Sequence, residues 1–245
     1  MRIGKFGYVN NFLPYYHLEQ VGKYEIVDAP PGKMEEMMQA GELHYAPIPS
    51  FSFLSSDDLR RYRFCVASDG EVYSVIVVSR KKRLDDAPIA VTTHSRTSIN
   101  LLRIILREKG MINRVVPVDG TAADMLKDFD HALVIGDEAI KARMLFRVVM
   151  DLGEEWKELT GLPMVFGVSA SKNNVDASQI DSDVLNSLEW GERHMNEVVE
   201  KASLRFRLPG DFLYAYFRAL IHRMGSREEK GLREFGEMCR EHGLL

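Results

Sequence analysis

Short apolar runs bounded by turn residues alternate along this chain with longer stretches of helical spacing, and no other feature constrains the fold as much. Strand, amphipathic helix, strand is the pattern of α/β architecture with largely parallel sheets, because a parallel neighbour needs a crossover long enough to be helical. Strands are predicted at Arg2–Tyr8, Tyr24–Val27, Leu43–Ile48, Arg63–Ala67, Val72–Ser79, Ile89–Thr92, Arg114–Val118, His131–Ile135 and Pro163–Val168. Helices are predicted near Phe12–Val21, Lys33–Gln39, Ser95–Lys109, Ala122–Lys127 and Glu138–Arg143. From Ser182 onward the spacing of Leu185, Leu188, Val198, Val199, Phe212, Leu213, Tyr216, Phe217, Leu220 and Ile221 is helical, and no strand is expected there. The block from Ala87 to about Val168 reads as an inserted lobe. The expected organisation is lobe I, residues 1–86 plus 170–245, and lobe II, residues 87–169, with a ligand cleft between them.

At 245 residues and 45% hydrophobic, the chain can give each of two lobes a core. Its 32 Lys and Arg against 36 Asp and Glu leave a net charge of −4, so no bulk attraction draws it to nucleic acid or to an anionic membrane. An anionic ligand must be held by local donors. Cys65 and Cys239 stand far apart, which argues against a disulfide framework and a cysteine zinc site. The histidines at 17, 44, 94, 131, 194, 222 and 242 carry no metal-ligand spacing. Neither a signal-peptide stretch nor a long uncharged apolar run is present, so the expected compartment is the cytoplasm. Glycine-rich nucleotide loops and a Gly-x-Ser-x-Gly elbow are also absent.

Four strand ends carry polar residues suited to a small anion. After the strand ending at Val91 come Thr92, Thr93, Ser95, Thr97 and Ser98, leading into an amphipathic helix that stops at Gly110. Free N–H groups, the helix dipole and these hydroxyls suit a carboxylate or phosphate, although one hydroxyl, from Ser95 or Thr97, also serves as a simple N-cap. The first strand runs into Asn10 and Asn11, whose amides can orient a carboxylate or hydroxyl without adding charge, or cap the next helix. Ser50 follows Pro47-Ile48-Pro49, and Gly136-Asp137 follows Ile135; Asp137 reads as a cap or as a partner for a substrate hydroxyl. Ser74 opens the Val75–Ser79 run.

Together these segments resemble the menaquinone-biosynthesis family of the futalosine pathway, in particular its chorismate dehydratases. The resemblance is carried by Arg2-Ile3-Gly4 with Tyr8-Val9-Asn10, Ala46–Ser50, Gly70–Val75, Thr92–Ser98 with Leu101-Leu102, Ile135–Ala139, Asp151–Trp156 and Thr160–Pro163. It implies a two-lobed α/β fold of the type II periplasmic-binding-protein kind, each lobe a mixed, largely parallel sheet flanked by helices. It implies a hydro-lyase that converts chorismate to 3-[(1-carboxyvinyl)oxy]benzoate without metal or organic cofactor, the substrate's own enolpyruvyl carboxylate serving as base. The family's strand-end asparagine falls on Asn10 counted from Gly4, and on Asn11 counted back from Pro14. Ser95, Thr97 and Ser98 would hold one carboxylate, with Ser50, Ser74, Gly136 and Asp137 lining the remainder. The expected partner is this small dicarboxylate, with no nucleic acid and no membrane, and a homodimer left open. Two other readings are the sister 1,4-dihydroxy-6-naphthoate synthase and a non-catalytic small-carboxylate-binding protein.

Overall fold

The computed structural model describes all 245 residues, which divide into two compact units. The first unit is Met1–Ala67 with Val165–Ser226, and the second is Ser68–Met164 with Arg227–Leu245. In chain order the elements begin β1 (Arg2–Phe6), a 3-10 turn (Val9–Asn11), α1 (Phe12–Val21), β2 (Glu25–Ala29), α2 (Pro31–Gln39), β3 (Ala46–Pro49), α3 (Ser50–Leu54) and β4 (Leu59–Ser68). They continue with β5 (Val75–Ser79), β6 (Ile89–Val91), α4 (Arg96–Glu108), β7 (Val115–Pro117), α5 (Ala122–Asp128), β8 (His131–Ile135), α6 (Gly136–Leu145), β9 (Arg147–Asp151) and α7 (Leu152–Thr160). The chain closes with β10 (Met164–Lys172), α8 (Ser178–Arg193), α9 (Met195–Phe206), α10 (Gly210–Ala219), β11 (Leu220–Arg223) and α11 (Ser226–Glu241).

In the first unit β1 pairs with β2 in parallel, and a parallel bridge from Ile3 to Tyr45 joins that pair to the sheet ordered β11-β4-β10-β3. Ile3, Tyr15, Tyr45, Phe64 and Val184 form its core. Asp181, on α8, is the polar pin of that core. It accepts the N–H groups of Arg63 and Phe64 at 3.0 and 3.1 Å and the hydroxyl of Tyr45 at 2.7 Å. A buried carboxylate is tolerated because its lone pairs are filled by such donors.

The second unit has a five-stranded mixed sheet ordered β7-β6-β8-β5-β9, with β5 antiparallel to β8 and β9, and β6 parallel to β7 and β8. Val75-Ile76-Val77-Val78 is an unbroken β-branched run and is buried on both faces between two neighbours, as such runs are when helices cover a sheet. Edge strand β7 is three residues long and ends in Pro117, which lacks the N–H a further strand would need.

Three sequence expectations meet a different structure. The C-terminal third does hold a strand, β11, because its Leu220–Arg223 backbone finds a partner in β4: the Met224 N–H bonds to the Arg63 carbonyl at 2.7 Å. Strand β9 was absent from the predicted set, and it exists as the outer neighbour of β5. The units also divide at Ala67/Ser68 and Met164/Val165, where residues 86/87 and 169/170 had been expected. The division moves because β5 is laddered to β8 and β9. In addition, α11 belongs with the second unit: a methyl on Gly231 would stand 2.0 Å from the Pro163 carbonyl oxygen, and Phe235 meets the buried Trp156 edge-on at 6.0 Å. Burying Trp156 alone contributes about 2–3 kcal/mol. No helix is long and apolar enough to cross a membrane.

Candidate functional site

Each unit gathers its share of the predicted residues at one end of its own sheet. In the first unit β1 and β3 run parallel, so Asn10 and Asn11, beyond the carboxyl end of β1, lie at the same sheet end as Ser50, beyond the carboxyl end of β3. In the second unit the parallel pairing of β6 with β8 brings Thr92–Ser98 and Gly136–Asp137 to one end, and the register Val75 opposite Ile135 brings Ser74 there too. That is the end at which open α/β sheets bind ligands.

The two asparagines differ in what their amides do. Asn11 is fully buried, its Oδ1 accepts the Phe6 N–H at 3.2 Å, and its Nδ2 donates to Asn10 Oδ1 at 3.2 Å. Both ends of that side chain are used in closing the turn after β1. Asn10 is half-buried, and its Oδ1 accepts the hydrogen bond from Asn11 Nδ2. Its main-chain carbonyl accepts a hydrogen bond from His222 Nε2 at 3.1 Å. A carbonyl can only accept, so Nε2 carries the proton and Nδ1 has the lone pair. His222 stacks on Phe64 at 5.8 Å, and burial lowers its pKa to about 4. Ser50 is fully buried and its Oγ has no hydrogen-bond partner. A hydroxyl in that state costs stability unless a ligand fills it.

At the start of α4, Ser95 is the N-cap: its Oγ accepts the Ser98 N–H at 3.2 Å and lies 2.9 Å from Ser98 Oγ. The capping role is thus real, and it uses one of the hydroxyls. Thr92, Thr97 and Ser98 are buried at the same helix end, whereas Thr93 is exposed and bonds Asp119. Asp137 does not cap α6; it sits half-buried in the first turn, and Ile135 holds the cap position.

Ser74 and Gly136 meet where backbone strain is concentrated. Tyr73 has φ +64°, and the Ser74 N–H bonds the Val72 carbonyl at 2.7 Å, which makes Tyr73 the centre of a classic γ-turn, a rare and strained conformation for a residue with a side chain. The Ser74 carbonyl accepts the N–H of Gly136, which has φ +60°, at 2.7 Å. Asp151 holds the turn: its carboxylate accepts the Val72 and Tyr73 N–H groups at 3.0 and 2.9 Å and also caps α7. Burial pushes this carboxyl above the usual range, while those N–H groups pull it back. Arg143 closes the far side, donating to the Tyr73 carbonyl at 3.2 Å with its guanidinium 4.6 Å from the Tyr73 ring.

Asp151, Tyr73, Arg143 and His222 were not among the candidates from sequence. Asp151 before Leu-Gly-Glu-Glu carries an N-cap signal, but nothing local tells that its carboxylate also binds a turn 78 residues earlier. One arrangement imitates hydrolytic chemistry: His131 Nδ1 lies 2.9 Å from Ser79 Oγ and its Nε2 lies 2.8 Å from Asp85 Oδ1. Ser79 is buried and its hydroxyl already donates to the Asp130 carbonyl and accepts the Lys81 N–H, so the triad braces the loop after β5 rather than presenting a nucleophile.

Comparison with known proteins bears on the family and the fold. The sequence profile described as menaquinone biosynthesis matches residues 1–241. A chorismate dehydratase of Thermus thermophilus is 27% identical over 247 aligned positions, covering 93% of this chain and 91% of that protein. Among solved structures, protein AF1704 from Archaeoglobus fulgidus superposes with TM-score 0.81 at 18% identity, over 100% of this chain and 98% of its own. The alkanesulfonate-binding protein SsuA from Xanthomonas axonopodis pv. citri does so with TM-score 0.72 at 13% identity, over 100% and 93%. These likenesses establish the periplasmic-binding-protein-like fold.

Proposed function

Because the chain belongs to the menaquinone-biosynthesis family, we propose that it is a chorismate dehydratase. On this reading it eliminates water from chorismate to give 3-[(1-carboxyvinyl)oxy]benzoate. One ring C–H bond and one C–OH bond break, the electron pair of the C–H bond closes the aromatic ring, and the proton leaves with the hydroxyl as water. The aromatic product makes the step downhill, so the task left to the protein is orientation. Holding reacting groups in register lowers such a barrier by up to about 7–11 kcal/mol. The first turn of α4, with Thr97 and Ser98, takes one carboxylate at the positive end of the helix dipole. In the first unit the Asn10 amide and the Ser50 hydroxyl are the polar groups offered for orientation, and in the second unit the Ser74–Gly136 corner lies at the same sheet end as the start of α4.

What supports this reading is the division of labour between the two asparagines: Asn11 bonds Phe6 through its Oδ1 and Asn10 through its Nδ2, whereas the Asn10 amide enters that arrangement only through its Oδ1. The test is incubation of the purified chain with chorismate, followed by the absorbance of the aromatic product. Asn10→Ala is expected to lower kcat by about 100-fold with KM little changed, as for loss of an orienting donor. Asn11→Ala is expected instead to destabilise the fold by about 1–3 kcal/mol, since it orphans the Phe6 N–H. Turnover of cyclic dehypoxanthinyl futalosine in place of chorismate would assign the sister synthase, and chorismate binding without product would assign a binding protein.

A further inference from the structure

A pocket of about 370 Å³ lies inside the first unit, walled by α10, β11 and the junction of α8 with α9. It stands one hydrogen bond behind Asn10, because His222 is part of its wall. Its chemistry is specific. Arg218 is exposed, lies 5.8 Å from the face of Tyr214 and has no acidic partner. The one carboxylate in the wall, Glu192, is already neutralised by a two-pronged pair with Arg223 at 2.6 and 2.7 Å. A cation without an acid beside it calls for an anion, and a guanidinium pairs best with a carboxylate or other oxyanion. His222 gives its Nε2 proton to the Asn10 carbonyl and keeps a neutral ring, so its Nδ1 calls for a donor. Phe217 and Met195 supply apolar surface to the same wall.

We propose that this pocket is a binding site for a compact hydroxy-carboxylate, with the carboxylate on Arg218, the hydroxyl donating to His222 Nδ1 and a ring or short apolar body against Phe217 and Met195. It is built wholly from first-unit residues and uses none of those assigned above to chorismate, so it stands whether or not the dehydratase reading does.

The test is calorimetric titration of the full chain with 3-hydroxybenzoate, a ring that carries both groups. Wild type is expected to bind it at a site that Arg218→Gln weakens by about ten-fold or more. Benzoate, lacking the hydroxyl, is expected to bind more weakly, and 3-hydroxybenzyl alcohol, lacking the carboxylate, not to bind. Ser98→Ala is expected to leave the Arg218-dependent part of 3-hydroxybenzoate binding unchanged. Arg218 is exposed, so its replacement keeps the fold, which circular dichroism checks. The proposal is overturned by absence of binding at millimolar probe, by equal affinity of wild type and Arg218→Gln, or by loss of binding in Ser98→Ala with retention in Arg218→Gln. The last result would put the probe at the start of α4.

Discussion

Two fully buried hydroxyls, those of Tyr15 and Ser50, have nothing to bond, and only Ser50 stands at a strand end. Ser50 Oγ is such a group, and leaving it unsatisfied costs about 1–3 kcal/mol. Replacement by alanine removes that cost along with the oxygen. Ser50→Ala is therefore expected to raise stability by up to about 1 kcal/mol, seen as a higher Tm, while weakening the proposed turnover of chorismate. A lower Tm would mean that the hydroxyl is bonded within the protein. The asparagine pair teaches the same lesson from the other side. Counting from Gly4 or from Pro14 could not separate Asn10 from Asn11, because the two are chemically identical in sequence. Burial and bonding separate them: one amide is consumed by Phe6 and its neighbour, the other is not.

At the scale of elements, the strained turn before β5 depends on a helix cap far along the chain. Asp151 begins α7 and binds Val72 and Tyr73 with the same carboxylate. Removing it leaves several buried N–H groups without an acceptor and frees Tyr73 to leave φ +64°. Asp151→Ala is expected to cost roughly 2–4 kcal/mol in urea unfolding and to lower kcat, since Ser74 and Gly136 lose their fixed corner. Unchanged stability would remove the turn lock from the account. The predicted strand Val72–Ser79 began three residues early for this reason: apolar Val72 and Tyr73 look like strand, but their N–H groups go to a carboxylate instead of a ladder. Strand β11 was hidden by the opposite cause. Leu220 and Ile221 continue the spacing of α10, and only the ladder with β4 turns them into strand.

For the molecule as a whole, His222 sets an acid limit to stability. Its ring is buried and neutral, with a pKa lowered from 6.5 to about 4 by burial. Above pH 6.5 neither the folded nor the unfolded form holds the proton, and the full stability is present. As pH falls from 6.5 to about 4, the unfolded chain takes up a proton that the folded chain refuses, so stability drops by about 3 kcal/mol and then levels for this group. Urea midpoints measured between pH 7 and 4 should fall along that course in wild type and less steeply in His222→Gln. Parallel slopes would show that other groups dominate the acid limb.

The sequence by itself determined the local alphabet of this protein. The alternation of β-branched runs with amphipathic stretches specified an α/β fold, the hydroxyls before α4 specified a capped helix start, and the ordered segments specified the family. These features are legible because periodicity, capping and turn chemistry act over a few residues. Tertiary structure alone decided which strand completes a sheet, which unit receives α11, which asparagine remains available and where the backbone is held strained. Each of those outcomes rests on a contact between distant residues, β11 with β4, Gly231 with Pro163, Asn11 with the Phe6 N–H, Asp151 with Tyr73. A hydrogen bond or a packed surface forms only once the chain has brought its two halves together, so neither half announces it alone.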